Sequence, residues 1–141
     1  MLKTLLDTDI LSLLLRQQPA VINRAIQYLS FYPQYTFYSQ YTFSLITRYE
    51  ILRGLKAKSA KKQLAAFDAF CQHSEIMPVT EVIINHASDI YANLYQRGQL
   101  IGDADILIAA TALEHGFTLS TNNENHFSRV SGLMIDNWSK P

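Results

Sequence analysis

Acidic and amide side chains follow the apolar runs of this sequence at several separate points along the chain. They are Asp7, Glu50, Asp103, Asp105, Asn122 and Asn123. Carboxylate and amide oxygens suit Mg²⁺ or Mn²⁺, hard ions that keep several waters when few protein groups bind them directly. Carboxylates that are brought together without a cation repel one another and raise one another's pKa. The residue types therefore indicate a divalent metal site, provided that the fold brings these positions together.

Hydrophobic periodicity predicts the elements that must position these side chains. The predicted strands cover residues 2–6, 42–46, 74–79 and 117–120. The predicted helices begin near Asp9 and then cover 20–32, 48–57, 59–72, 80–97 and 103–115. The aromatic-rich stretch from Phe31 to Phe43 contains Pro33 and is predicted as a loop that leads into the second strand.

Strands that alternate with helices predict an α/β fold, an α/β/α sandwich with a short, mainly parallel central sheet. In open parallel sheets, ligands gather outside the carboxyl ends of the strands. Asp7 closes the first predicted strand, Glu50 follows the second, and Asn122 and Asn123 follow the fourth. Asp105 lies at the start of the helix before that fourth strand. We therefore expect these side chains to meet at one edge of the sheet.

Each of these side chains also has an ordinary explanation as a helix cap. The caps that the sequence offers are Asp9 or Thr8 for the first helix, Thr47-x-x-Glu50 and Thr121-x-x-Glu124 as capping boxes, and Asp103 with Asp105 in the first turn. For any one of these acids taken singly, capping is the commoner role. The joint order of acids and apolar segments along the chain favours the metal site.

Length and composition predict one domain that spans residues 1–141. A chain with 48% hydrophobic and 17% charged residues has the composition of a packed globular protein. Cys71 is the single cysteine and cannot form an intramolecular disulfide, which favours a reducing, cytoplasmic setting. No apolar run reaches the length of a membrane span, so no membrane partner is expected.

The net charge is zero, but the charges are unevenly spread. Between Arg48 and Lys62, six cationic residues stand against one acid, Glu50, so this segment carries +5 and the rest of the chain −5. An enzyme that acts on a polyanion needs cations to hold the backbone beside carboxylates that hold the metal. A solvated helix face is the alternative explanation, and for the lysines alone it is the commoner one.

Four segments also carry a family resemblance. They are Leu5–Ser12 (LLDTDILS), Thr47–Gly54 (TRYEILRG), Ile101–Ala110 (IGDADILIAA) and Ser120–Phe127 (STNNENHF), followed by Gly132-Leu133 and Asn137-Trp138. The third segment is the most specific of them. From Leu5 to Trp138 the sequence resembles PIN-domain ribonucleases of the VapC type, the toxins of bacterial type II toxin–antitoxin (VapBC) pairs.

The resemblance implies a PIN-like fold and a metal-dependent endoribonuclease that hydrolyses RNA phosphodiester bonds with metal-activated water. It makes Asp7, Glu50 and Asp105 the ligands of one or two Mg²⁺ ions, with Mn²⁺ as the alternative metal. Asn123 joins these three in the implied catalytic set. Residues of second rank in the same site are Asp103, Thr8, Thr121 and Asn122. The possible RNA contacts are Arg48, Arg53 and Lys56.

One position departs from the pattern of the family. Many PIN domains have a fourth aspartate in the last motif, where this sequence has Asn123, a neutral acceptor for a metal or a water. Asp103 can add negative charge, but residues two apart on a helix do not share a face with each other. Asp103 and Asp105 can therefore both point inward only if Asp103 lies before the helix proper.

The resemblance further implies an RNA substrate, a homodimer, and a VapB-like antitoxin that blocks the site. Two other functions compete with this interpretation. A phosphoacceptor receiver domain needs adjacent acids after its first strand and a lysine after its last, whereas this chain has Asp7-Thr8-Asp9 and a late Lys140. A non-catalytic RNA-binding or interaction module with a PIN-like fold stays open, although the acids at 7, 50 and 105 count against it.

Overall fold

The computed structural model of the protein describes residues 3–31 and 41–141. The strands in these ranges are β1 (Thr4–Leu6), β2 (Tyr41–Ser44), β3 (Ser74–Met77), β4 (Thr118–Ser120) and β5 (Ile135–Asp136). The helices are α1 (Thr8–Leu15), α2 (Pro19–Phe31), α3 (Leu45–Ala57), α4 (Lys61–Gln72), α5 (Glu81–Gln96), α6 (Asp103–His115) and α7 (Glu124–Phe127). Every predicted strand and helix has a counterpart whose bounds differ by a few residues at most.

The strands form one five-stranded sheet in the order β3-β2-β1-β4-β5. All four neighbouring pairs are parallel. In the central strand β1, Leu5 is in register with Thr42 on one side and with Leu119 on the other. The predicted fold class, a helix-flanked sheet with parallel strands, is therefore confirmed, and the carboxyl ends of β1, β2 and β4 lie at the same edge.

Two hydrophobic clusters occupy the two faces of this sheet. Side chains alternate across a strand, so Leu5 and Leu6 point to opposite faces. Leu5 is buried in a cluster with Leu94 of α5 and much of α6, whereas Leu6 is buried in a cluster with Leu11 of α1 and Phe67 of α4. Helices therefore cover both faces, as a parallel sheet requires.

The junction between β2 and α3 differs from the sequence prediction. The strand ends at Ser44 and the helix begins at Leu45, with no intervening residues. Ser44 is the N-cap, and its side-chain oxygen accepts a hydrogen bond from the backbone N–H of Ile46. The predicted capping box of Thr47 and Glu50 is wrong because both residues lie inside α3. Glu50 is therefore a mid-helix residue whose carboxylate is free for another role.

Two short elements near the C-terminus were absent from the prediction. Strand β5 has two residues, and its Ile135 is in register with Leu119 of β4. Helix α7 has four residues and follows β4 closely. Neither element is long enough to show the periodicity by which strands and helices are recognised in a sequence.

The remaining expectations concern the aromatic stretch and membranes. The predicted loop between Phe31 and Phe43 lies mostly outside the described residues. At its ends, Phe31 is the last residue of α2, and Tyr41 and Phe43 are buried residues of β2.

Within residues 3–31 and 41–141, no helix is both long enough and apolar enough to cross a membrane.

Candidate active site

Three elements bring acidic side chains to the carboxyl edge of the sheet. Asp7 directly follows β1 and is the N-cap of α1, because its extended backbone lets its carboxylate accept from the N–H of Thr8. Glu50 comes from α3, which continues from the neighbouring strand β2. Asp105 lies in the first turn of α6, which leads into β4 on the other side of β1. The sheet order therefore places Asp7, at the end of β1, between Glu50 on the β2 side and Asp105 on the β4 side.

Asp7 is the most deeply placed of these acids, with only 5% of its surface exposed. Its Oδ1 accepts from the backbone N–H of Thr8 at 2.8 Å, and its Oδ2 accepts from the hydroxyl of Thr121 at 2.7 Å. Burial, followed by the negative charge of Asp9, raises the pKa of Asp7 from 3.8 to about 7, although both hydrogen bonds act in the opposite direction. The site therefore holds Asp7 as a carboxylate only at an electrostatic cost.

Asp9 belongs to this group of acids, and the sequence analysis considered it only as a cap. Its Oδ1 accepts from the N–H of Ile10 at 2.7 Å, and its Oδ2 accepts from the N–H of Asn122 at 3.0 Å. Burial raises the pKa of Asp9, and the charge of Asp105 raises it further. The spacing Asp7-x-Asp9 could have indicated this role, because the N-cap residue and the second residue of a helix can both face the same edge of the sheet.

Glu50 is held in place by hydroxyl groups from two helices. Its Oε1 accepts from the hydroxyl of Thr8 at 2.7 Å, and Thr8 Oγ1 in turn lies 3.0 Å from Oγ1 of the buried Thr47. The other carboxylate oxygen lies 3.6 Å from Nη2 of Arg53. These contacts tie the start of α1 to α3 and fix the direction of the Glu50 carboxylate.

Asp105 is paired with a histidine from the last motif. Oδ2 of Asp105 lies 3.5 Å from Nδ1 of His126, and the same nitrogen lies 2.7 Å from Nδ2 of Asn123. Burial raises the pKa of Asp105, and Glu50 raises it further, while His126 lowers it. Asn123 therefore contacts His126, and it reaches Asp105 through that ring.

The residues of second rank fall in different places. Thr8 and Thr121 contact the acids directly, as described above. Asn122 donates to Asp9 through its backbone, while its side-chain oxygen accepts from Asn137 at 3.2 Å. Asp103 lines a separate cavity of about 410 Å³ between α5 and α6, beside Tyr91.

The predicted caps are largely wrong, which removes the ordinary explanations for several acids. Asp7 caps α1 in place of Asp9 or Thr8, and Gly102 occupies the N-cap position of α6 in place of Asp103. The N-cap position of α7 belongs to Asn123, whose side chain makes no capping hydrogen bond. Among the acids of residues 3–31 and 41–141, only Asp7 and Asp9 bond backbone N–H groups at a helix start.

Comparison with known proteins identifies the family that has this arrangement. The family model described as PIN domain matches residues 4–133. The chain belongs to the PIN domain family. It is similar to ribonuclease VapC2 of Haemophilus influenzae, with 32% identity over 139 residues, which cover 98% of this chain and 99% of the relative. The resemblance to VapC-type PIN domains is therefore confirmed.

Other PIN relatives match over nearly the whole chain. The tRNA(fMet)-specific endonuclease VapC of Shigella flexneri is 27% identical over 140 residues, which cover 99% of this chain and 100% of the relative. The crystal structure of DNA-bound VapBC from Salmonella typhimurium superposes with a TM-score of 0.82 at 27% identity, covering 98% of this chain and 99% of that one. The PIN-like α/β/α fold is thus shared along the full length.

The acidic edge of this PIN domain fits a divalent cation that is held partly through water. Among residues 3–31 and 41–141, no three acidic, histidine or cysteine side chains lie close enough to ligate one ion directly. Mg²⁺ usually keeps several waters and binds one or two carboxylates, so direct contact with all the acids is not required. Apart from burial, the charges of Asp9 and Asp105 raise the pKa of Asp7. A cation would neutralise this excess negative charge.

The predicted RNA contacts of this PIN domain lie at different distances from the acids. Arg53 contacts Glu50 and also lies over the ring of Tyr49, 5.1 Å from its centroid. Arg48 instead acts on the thiol of Cys71, whose pKa is raised by burial and lowered in part by this guanidinium. Lys56 is exposed in the last turn of α3. Only Arg53 among the three is in contact with a predicted site residue in the part of the chain that the structure describes.

The raised pKa of Asp7 predicts how the stability of the metal-free protein depends on pH. Between the unfolded value of 3.8 and the folded value of about 7, the folded protein binds more protons at Asp7 than the unfolded chain. This site therefore lowers the free energy of unfolding by roughly a few kcal/mol as pH rises from about 4 to about 8. The Asp7→Asn variant does not lose stability in this way. Its free energy of unfolding, relative to that of wild type, should therefore increase with pH.

Urea denaturation in EDTA at several pH values measures this difference. Asp68→Asn, which removes an exposed acid from α4, serves as the control and should follow the wild-type profile. Parallel profiles for Asp7→Asn and wild type would contradict the account of the Asp7 environment.

Proposed function

We propose that this PIN domain is a metal-dependent endoribonuclease that hydrolyses RNA phosphodiester bonds and serves as the toxin of a toxin–antitoxin pair. The observation that carries the proposal is the meeting of Asp7, Glu50 and Asp105 at the carboxyl edge of the sheet. The names of the matched relatives support it, since the Haemophilus protein is called a ribonuclease and the Shigella protein a tRNA(fMet)-specific endonuclease. A hydrolase of this kind needs oxygen ligands beside a polyanion-binding surface.

The ligands in this proposal are Asp7, Glu50 and Asp105, with Asp9 as an additional acid, and the ion is Mg²⁺ or Mn²⁺. Such an ion, when bound, lowers the pKa of a coordinated water and stabilises negative charge on the scissile phosphate. Asn123 acts through His126 in this arrangement. The proposal therefore includes a fourth carboxylate, Asp9, although the last motif has an asparagine.

The task of the surrounding residues is to hold the carboxylate oxygens in fixed directions. Thr121 and the N–H of Thr8 fix both oxygens of Asp7, while the hydroxyl of Thr8 fixes one oxygen of Glu50. His126 contacts one oxygen of Asp105. Groups that orient metal ligands in this way raise metal affinity because the ligands need no rearrangement on binding.

We propose that the protein works in the cytoplasm as a homodimer and is neutralised by a VapB-like antitoxin. The superposed Salmonella structure supports the antitoxin proposal, since it is a VapBC complex bound to DNA. Because the net charge of the whole chain is zero, RNA binding in this proposal depends on local cationic surfaces. Arg53 and Lys56 form one of these surfaces.

Cleavage of a labelled, structured RNA tests the proposed activity. We expect purified protein to cut with Mg²⁺ or Mn²⁺ and not with excess EDTA. Asp105→Asn and Asp7→Ala should each reduce the rate on the order of 10²-fold or more, because each removes negative charge from the metal site. Asp89→Asn, at an exposed position on α5, is the matched control and should cut like wild type.

A folded Asp105→Asn variant that cuts at the wild-type rate would overturn the role of Asp105. Cleavage that persists in EDTA would overturn the metal requirement. Protein that is folded and free of antitoxin, and that cuts no RNA with either metal, would support the non-catalytic module.

The structure also predicts a role in metal binding for Asp9, which the sequence analysis treated only as a helix cap. Asp9→Asn keeps one oxygen that can accept from the N–H of Asn122, but it removes one negative charge and the acceptor for the N–H of Ile10. We expect the affinity for Mn²⁺ to fall by about tenfold or more, measured by isothermal titration calorimetry without RNA. Unchanged Mn²⁺ affinity in this variant would show that Asp9 is only a cap, whatever its effect on cleavage.

A further inference from the structure

A polar cavity of about 440 Å³ lies beside the end of α5 and helix α7, and none of its lining residues belongs to the proposed active site. Its lining residues are Arg97, Gly98, Gln99, Asn125, Ser128 and Arg129. Two of these are arginines and none is acidic. The cavity is therefore positively charged, and its volume lies within the range of ~300–1,000 Å³ that is typical of binding sites for small ligands.

Neutral groups hold both guanidinium groups of the cavity in place. Arg97 donates to the side-chain oxygens of Asn93 and Gln99, each at 2.8 Å, and to the carbonyl of Arg129 at 3.1 Å. Arg129 donates to the carbonyl of Leu100 at 3.3 Å and to that of Gln99 at 3.5 Å. These acceptors fix the orientation of the two guanidinium groups without neutralising them.

Neither guanidinium is paired with an acid. Within residues 3–31 and 41–141, the ion pairs involve other cations, so the charges of Arg97 and Arg129 are uncompensated there. A guanidinium has five N–H donors, of which Arg97 uses three in these bonds and Arg129 two. Both side chains therefore keep donors for an anion, and the planar guanidinium matches the geometry of a phosphate.

Both walls of the cavity belong to chain segments that also carry residues of the candidate active site. The segment that contains Arg97 and Gln99 leads into the start of α6, where Asp105 lies. The opposite wall contains Asn125 in α7, the same short helix that carries His126. The arginine cavity and the acids are therefore neighbours along the chain on both sides.

We propose that this cavity binds a phosphodiester group of the RNA strand next to the bond that is cut. The inference rests on the proposed ribonuclease function and adds to it a backbone subsite formed by Arg97 and Arg129. Because contacts to phosphate carry no base information, this subsite holds the strand in position and does not select its sequence.

Binding of a fluorescent single-stranded RNA in EDTA, followed by anisotropy, tests this subsite without cleavage. We expect Arg97→Gln and Arg129→Gln each to weaken binding on the order of tenfold, and to reduce the slope of log affinity against log salt by about 0.7. Lys3→Gln is the matched control, since it removes one positive charge just before β1, at the amino edge of the sheet, which is opposite the acids. Its loss should be clearly smaller.

A second variant separates binding from folding, because the arginines also bond the surrounding backbone. Asn125→Asp keeps the shape of the side chain and adds a negative charge to the cavity, so it should weaken RNA binding as strongly as the arginine variants. Affinities for Arg97→Gln, Arg129→Gln and Asn125→Asp that all match that of Lys3→Gln would overturn the proposal. So would unchanged RNA affinity together with arginine-dependent binding of polyglutamate, which would assign the cavity to an acidic protein segment.

Cleavage with Mg²⁺ distinguishes failure of this proposal from failure of the proposed function. If both are right, the arginine variants have a raised KM with kcat close to wild type. RNA binding that depends on the arginines in a protein that cuts nothing would support the subsite and overturn the nuclease. Metal-dependent cleavage with wild-type KM in both arginine variants would support the nuclease and overturn the subsite.

Discussion

Repulsion among partly buried carboxylates at one edge of the sheet is the constraint on which the rest of this structure depends. Asp7 is almost completely buried, and its pKa is raised to about 7 by burial and by the charges of Asp9 and Asp105. Hydrogen bonds from Thr8 and Thr121 offset only part of this cost. Perturbed carboxylates of this kind cluster at functional sites, and a divalent cation is the partner that we propose for these charges.

The parallel sheet makes this crowding possible. Because β1 is central, its carboxyl end receives α3 from the β2 side and the start of α6 from the β4 side. The hydrogen bond between Thr121 and Asp7 joins residues 114 positions apart, so it forms only when β4 is paired with β1. Cationic groups accompany the segments that carry these acids, with Arg53 beside Glu50 and Arg97 on the segment that leads into α6.

Apolar runs that end in polar residues were sufficient to predict the parallel strands and the edge at which Asp7, Glu50 and Asp105 meet. Side-chain directions were not predictable, because tertiary packing decides them. Arg48 acts on the Cys71 thiol of a neighbouring helix, which no local pattern in the sequence reveals. The role of Asp9 was missed for a related reason. Its carboxylate joins the site only because Asp7 takes the N-cap position, which the sequence analysis had assigned to Asp9 or Thr8.

Diffraction from crystals grown with Mn²⁺, recorded where manganese scatters anomalously, tests most directly whether the acidic edge binds a divalent ion. The account predicts an anomalous peak at this edge, with at least one oxygen of Asp7, Glu50 or Asp105 at about 2.0–2.3 Å and waters completing the coordination. An acidic edge without a peak in crystals that contain millimolar Mn²⁺, at a pH above 7, would contradict the account.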